Sequence, residues 1–171
     1  MSKSHPSYSI KECKVRASLL LKALRSTKSD IALKAAKRFQ RLPQFKEHSF
    51  DDIQQFDMKR KHALAVIALE KGFESWADLK CQLPFIKGGF LNHWFANYAD
   101  AKDKQKSAGG FLLPYQKQYL VCDQDYMKNL GFDISDPDWE KIGYDWAQPK
   151  NQQAWKRLYQ KWIKIVEKSD V

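Results

Sequence analysis

From Ser9 onward, apolar residues recur at helical spacing. Cys13, Ala17, Leu20, Leu21 and Leu24 fall at i, i+4, i+7, i+8 and i+11, one stripe of an amphipathic helix. Ser26 to Ser29 punctuate. Asp30 is placed to cap a second helix running to about Leu42, where Pro43 stops it. Ser49 caps a third helix that bends near Phe56 and runs on to Lys71, with Gly72 ending it. Ser75 starts a short fourth helix with Asp78 in capping-box position, and Pro84 closes it. Residues 1–8 show no periodic pattern and read as a disordered tail.

After the glycine pair Gly88-Gly89 the pattern changes. A fifth helix is expected over about Phe90 to Lys106, followed by Gly109-Gly110. "FLLPYQKQYLVCD" alternates and is rich in aromatic and aliphatic residues, so it reads as a β-hairpin near 111–122 turning at Gln116-Lys117. Pro114, which donates no ladder hydrogen bond, assigns its strand to an edge. Asp123 to Leu130 reads as a short helix closed by Gly131. In "DISDPDWEKIG", Ser135 or Asp136 caps another helix with Pro137 in its first turn. The last helix, about Lys150 to Lys168, has Ala154, Trp155, Leu158, Tyr159, Trp162, Ile163, Ile165 and Val166 on one half of its wheel. Lys156, Arg157, Gln160, Lys161, Lys164, Glu167 and Lys168 take the other half. The expected fold is therefore mainly α: an N-terminal helical bundle over 9–87, then an aromatic-rich helical half over 88–171 with one small hairpin, the two packed as one globule.

Charge sharpens this division. Of the net +10, +9 lies between Met1 and Lys87 and only +1 after it, whereas five of the six tryptophans fall between Trp94 and Trp162. A basic first half points to an acidic partner. On the second helix Lys34, Lys37, Arg38 and Arg41 fall at i, i+3, i+4 and i+7, and no acid interrupts between Asp30 and Glu47. Like charges at this spacing repel. A phosphate backbone would reward the arrangement by releasing counterions, and the alternative is an ordinary solvated lysine face. Lys59, Arg60 and Lys61 precede a buried run, and packing is expected to bring them beside the second helix. Among the aromatics, Tyr115 and Tyr119 of the hairpin and Tyr144 and Trp146 of a loop are the expected exposed contacts.

The stretch "KHALAVIALEKGFESWADLK" (residues 61–80) invites a helix-turn-helix reading. Ala68, four residues before Gly72, fits such a motif, but the apolar anchor due six residues after the glycine is Asp78. An acid there would repel phosphates, so the stretch is better read as two core helices joined by a tight corner. It resembles the helix-"GF-x-SW-x-x-L" corner of uncharacterised bacterial proteins, some of them beside ankyrin repeats. The resemblance covers about 20 residues of the chain and implies a bacterial protein with a helical corner, without an activity or site residues.

Chemistry-bearing motifs are sparse. His5, His48, His62 and His93 are scattered, so no metal is expected, and no phosphate loop or other cofactor motif is present. "DISDPD" puts Pro137 where a calcium loop needs a ligand. Cysteine–histidine pairs such as Cys81 with His93 or Cys122 with His62 would need the fold to bring them together. Three scattered cysteines suit a reducing cytoplasm. The longest apolar run, Ala63 to Leu69, spans about 10 Å as helix, too little to cross a bilayer, so no membrane association is expected. The expectation is a non-enzymatic protein that engages nucleic-acid phosphates with low sequence specificity. The alternatives are a module docking an acidic protein and, third, an enzyme with a pocket between the halves. Nothing in the sequence sets an oligomeric state.

Overall fold

A computed structural model describes residues 3–4 and 9–169, and the fold is mainly α with small antiparallel sheets. Two compact units divide the chain: Ser7–Lys80, and Cys81–Val171 together with Met1–Pro6. The boundary precedes Gly88-Gly89, because Leu83 and Ile86 are buried in the core of the second unit. The expected disordered tail at 1–8 lies outside the described residues except for Lys3–Ser4, treated below.

The first unit is helical. Helix α1 (Ile10–Leu24) starts at Ser9, whose Oγ accepts the Glu12 N–H at 3.0 Å, and buries Cys13, Ala17, Leu20 and Leu24. Helix α2 (Ser29–Phe39) begins one residue before the expected cap, so Asp30 sits inside its first turn, where a carboxylate suits the helix dipole. A 3-10 turn at Pro43–Phe45 leads to α3 (Phe50–Gln55), whose Ser49 and Asp52 form a reciprocal capping box. The expected bend near Phe56 is a full break. Helix α4 (Arg60–Glu70) starts afresh, with His62 Nδ1 accepting the Lys59 N–H at 3.0 Å. Gly72 at φ +89° then makes the corner: its N–H donates to Leu69 O and the Phe73 N–H to Ala68 O, both at 3.0 Å. This is the Schellman arrangement. Ser75 opens α5 (Trp76–Cys81) by accepting the Asp78 N–H. Phe39, Ile53, Met58, Ile67 and Leu79 fill one core, and the buried Ala36, Ala63 and Ala68 let helices approach closely. Each of the large side chains contributes about 1.5–3 kcal/mol by leaving water.

The second unit is mixed. Strand β1 (Lys3–Ser4) pairs antiparallel with β2 (Phe85–Ile86). A three-stranded sheet is formed by β3 (His93–Phe95), β4 (Phe111–Tyr115) and β5 (Gln118–Cys122), in the order β3-β5-β4, with α6 (Tyr98–Ala108) between the first two in sequence. The expected fifth helix is thus half wrong: its first turn is strand β3, paired with Tyr119–Val121, and the helix starts only after the Asn97 cap. "HWF" suits a pleated, half-buried surface better than a helix start. Pro114 lies on the edge strand β4, as its missing N–H requires. Helices α7 (Gln124–Leu130), α8 (Asp138–Lys141) and α9 (Gln152–Ser169) follow.

Their core is aromatic. The Phe132 ring lies 5.2, 5.1 and 5.6 Å from those of Trp139, Trp146 and Trp162. Each of these indoles donates to a backbone carbonyl: Trp139 to Asp133, Trp146 to Cys81 and Trp162 to Leu130. A buried tryptophan needs that partner for its polar end. Among the described residues, no helix is long and apolar enough to cross a membrane.

Candidate functional site

The basic face of α2 is partly spent on structure. Lys34 and Lys37 are exposed on α2; Arg41 is exposed too, but in the turn beyond it, because the helix stops at Phe39 and not at the expected Leu42. Arg38 is half-buried and donates from Nε and Nη2 to the two carboxylate oxygens of Glu70, both at 2.7 Å. That hydrogen bonding holds the guanidinium even further above its ordinary range. Lys37 Nζ stands 6.0 Å over the Phe50 ring. Lys59, Arg60 and Lys61 are exposed at the start of α4, and Lys59 lies 3.7 Å from Asp57. Glu70, which Arg38 reaches, is the last residue of that helix, about 15 Å further along its axis. The seven cations expected to act together therefore divide: Arg38 is removed by an ion pair, and Lys59 to Lys61 start at the opposite end of α4.

The expected exposed aromatics need a larger correction. Trp146 is fully buried, because its indole fills the centre of the aromatic core. Tyr115 is half-buried against Phe85 and Trp94, and Tyr119 is half-buried against Tyr98. Only Tyr144 is exposed, at 41 %.

Tyr144 belongs to a feature of the mixed unit that the sequence did not reveal. Helix α8 also ends in a Schellman turn, with Gly143 N–H donating to Glu140 O and Tyr144 N–H to Trp139 O. Tyr144 then takes a left-handed φ of 54°, rare for a residue with a side chain. This conformation turns the chain so that Tyr144 O accepts from Leu112 N–H and Trp146 N–H donates to Leu112 O, a parallel bridge to β4. Gln105, 7 % exposed, secures the turn, its Nε2 facing the carbonyls of Gly110, Gly143 and Tyr144 at 3.3, 3.3 and 2.7 Å. Beside it Asp145, 0 % exposed, accepts from Tyr98 Oη, from Lys102 Nζ at 3.0 Å and from Gln148 N–H at 2.8 Å. Lys102 Nζ also donates to Gln105 Oε1 at 2.9 Å, which joins the two hubs. Burial, helped by the Asp145 carboxylate, pushes the Tyr98 hydroxyl well above its ordinary range and keeps it a donor.

An open cleft of about 870 Å³ adjoins this network, lined by the second half of α6, Gly109-Gly110, the ends of β4 and β5, and Leu91, His93, Tyr144 and Lys150. Gly110 is obligatory there: a Cβ on it would lie 2.8 Å from Cys122 O. The Cys122 thiol is no nucleophile. It is buried, it donates to Phe111 O at 3.6 Å, and burial pushes its pKa well up. The sequence signal for the cleft was "KDKQKSAGG", lysines running into a glycine pair, which reads only as a helix end and hinge without Cys122 and Tyr144 in place. No family model matches the chain, and neither a curated protein nor a solved structure matches it.

Proposed function

We propose that the helical unit binds nucleic acid through its phosphates along α2 and the turn that follows it, with low sequence specificity and without catalysing a reaction. The observation that carries this reading is the set Lys34, Lys37 and Arg41. All three are exposed, and none makes an ion pair among the described residues. They sit in a unit whose Ser7–Lys80 stretch holds 16 Lys/Arg against 9 Asp/Glu. Lys34 and Lys37 lie three residues apart on α2, about 4.5 Å of helical rise, and Arg41 extends the row in the turn just past the helix end, within reach of neighbouring phosphates on one strand. Contacts of this kind position a duplex or a single strand without reading bases.

Fluorescence anisotropy with a labelled 20-mer over a salt series tests the reading. Binding should weaken steeply with salt. The variant Lys34→Glu/Lys37→Glu/Arg41→Glu should lose affinity and lower the magnitude of the salt slope by about 3. Absence of binding at low salt, or a triple variant that binds like wild type, would overturn it.

A further inference from the structure

We propose that the cleft of the mixed unit binds a small anionic ligand built like a mononucleotide, with a phosphate chain and a planar ring. Of the cations on its walls, Lys102 is already satisfied by Asp145 and Gln105. Lys104, Lys106 and Lys150 are different: none makes an ion pair among the described residues. The lone carboxylate on the wall, Asp123, is engaged in capping α7, its Oδ1 accepting the Tyr126 N–H at 2.9 Å. The cleft therefore carries an uncompensated positive charge.

Lysines near the end of α6 also suit the negative end of the helix dipole, which is reason enough for Lys106 alone. Lys150 is not on that helix. Its stem lies across Gly143, where an added Cβ would meet Lys150 Cε at 3.2 Å, so the bare glycine backbone seats it beside Tyr144. Tyr144 supplies the second component of the site. Its ring meets Phe111 edge-on at 5.5 Å and 81°, the residue lines the cleft, and 41 % of it remains exposed. The left-handed backbone that places it there is a strained conformation for a tyrosine, held by Gln105 and the bridge to Leu112. A half-exposed aromatic ring lining the same cleft as three ammonium groups that make no ion pair among the described residues fits a base stacked on tyrosine with its phosphates on lysine. A volume of about 870 Å³ suits such a ligand and far exceeds a single ion.

Isothermal titration at low salt, with the full chain and three probes, tests this. ATP should bind at least about tenfold more tightly than either adenosine or inorganic tripolyphosphate, because only ATP engages both components. Lys106→Glu/Lys150→Glu should abolish ATP binding. Tyr144→Asn, which removes the ring yet tolerates the left-handed backbone, should weaken ATP by about tenfold and leave tripolyphosphate unchanged. ATP binding should persist in the Lys34→Glu/Lys37→Glu/Arg41→Glu variant, which separates the cleft from the α2 face. Failure of ATP to bind, equal binding of tripolyphosphate, or loss of ATP binding in the α2 variant would each overturn the assignment.

Discussion

The two units keep their polar groups in different places. In the helical unit the interior is apolar, from Cys13 on α1 to Leu79 on α5, and the hydrogen bonds that define it sit at helix ends: Ser9, Ser49, Lys59 with His62, Gly72 and Ser75. The mixed unit buries Gln105, Asp138 and Asp145 and suspends three indoles from backbone carbonyls. An apolar interior loses stability gradually as area is removed. A buried polar group is an all-or-none commitment, because losing one partner leaves the other without water or a bond. The mixed unit should therefore depend on single side chains to a degree the helical unit does not.

Asp145 is the sharpest place to break that contrast. Asp145→Ala strips Lys102 and Tyr98 of their shared acceptor and should destabilise the unit by about 3–5 kcal/mol in urea unfolding. Adding Lys102→Met should restore part of the loss, since the unpaired charge goes with it. A loss under about 1 kcal/mol for Asp145→Ala would place the hub among ordinary surface contacts and dissolve the comparison.

Acid should act on the mixed unit through Asp138. This buried carboxylate accepts two hydrogen bonds from Arg157 at 2.8 Å and one from Lys141 at 3.1 Å, tying α8 to α9. The Arg157 hydrogen bonds, with Lys141 adding to them, hold it well below the usual carboxylate range. A depressed folded pKa stabilises the fold above the unfolded value of about 4, and that stability drains away as pH falls below it. The melting temperature of the wild type should drop between about pH 4 and pH 2, and Asp138→Asn should start lower and drop less. Parallel curves for the two proteins would remove Asp138 from the account.

What could be read in advance follows the same divide. The stripe of α1, the Ser49 and Ser75 caps and the Gly72 corner depend on residues a few positions apart, so local spacing exposes them. The Asp145 hub joins residues 98, 102, 105, 145 and 148, and no local pattern marks an acid between two aromatics as buried. Trp146 looked like a loop aromatic for the same reason, since its partners are Cys81, Phe132, Trp139 and Trp155. Strand β3 is three residues long and exists only through β5. Even on α2, where spacing singled out four cations, the loss of Arg38 to Glu70 is a contact across 32 positions.

Two glycines compare the units at equal chemistry. Gly72→Ala meets nothing within 4 Å, so its cost is that of a side chain at φ +89° alone, about 1–2 kcal/mol. Gly110→Ala has the same backbone penalty at φ +100° and in addition drives a methyl to 2.8 Å from Cys122 O, which is backbone and cannot swing away. Urea unfolding should rank Gly110→Ala clearly below Gly72→Ala in stability. Equal losses would mean that β5 yields easily at its end.

The smallest effect should come from the ion pair that most resembles Asp145–Lys102 on paper. Arg38 and Glu70 share two short hydrogen bonds, yet the Arg38 side chain is 41 % exposed, so water already solvates much of what the pair would gain. Removing both charges with Arg38→Gln/Glu70→Gln should change stability by at most about 1 kcal/mol, and less at high salt. The net charge of the helical unit is unchanged by this double substitution. The salt slope of nucleic-acid binding should therefore match that of the wild type, whereas Lys37→Gln should lower its magnitude by about 1. A large stability loss would show that the helical unit, too, relies on a polar link between distant helices. A changed slope would return Arg38 to the phosphate-binding face from which its pairing with Glu70 removes it.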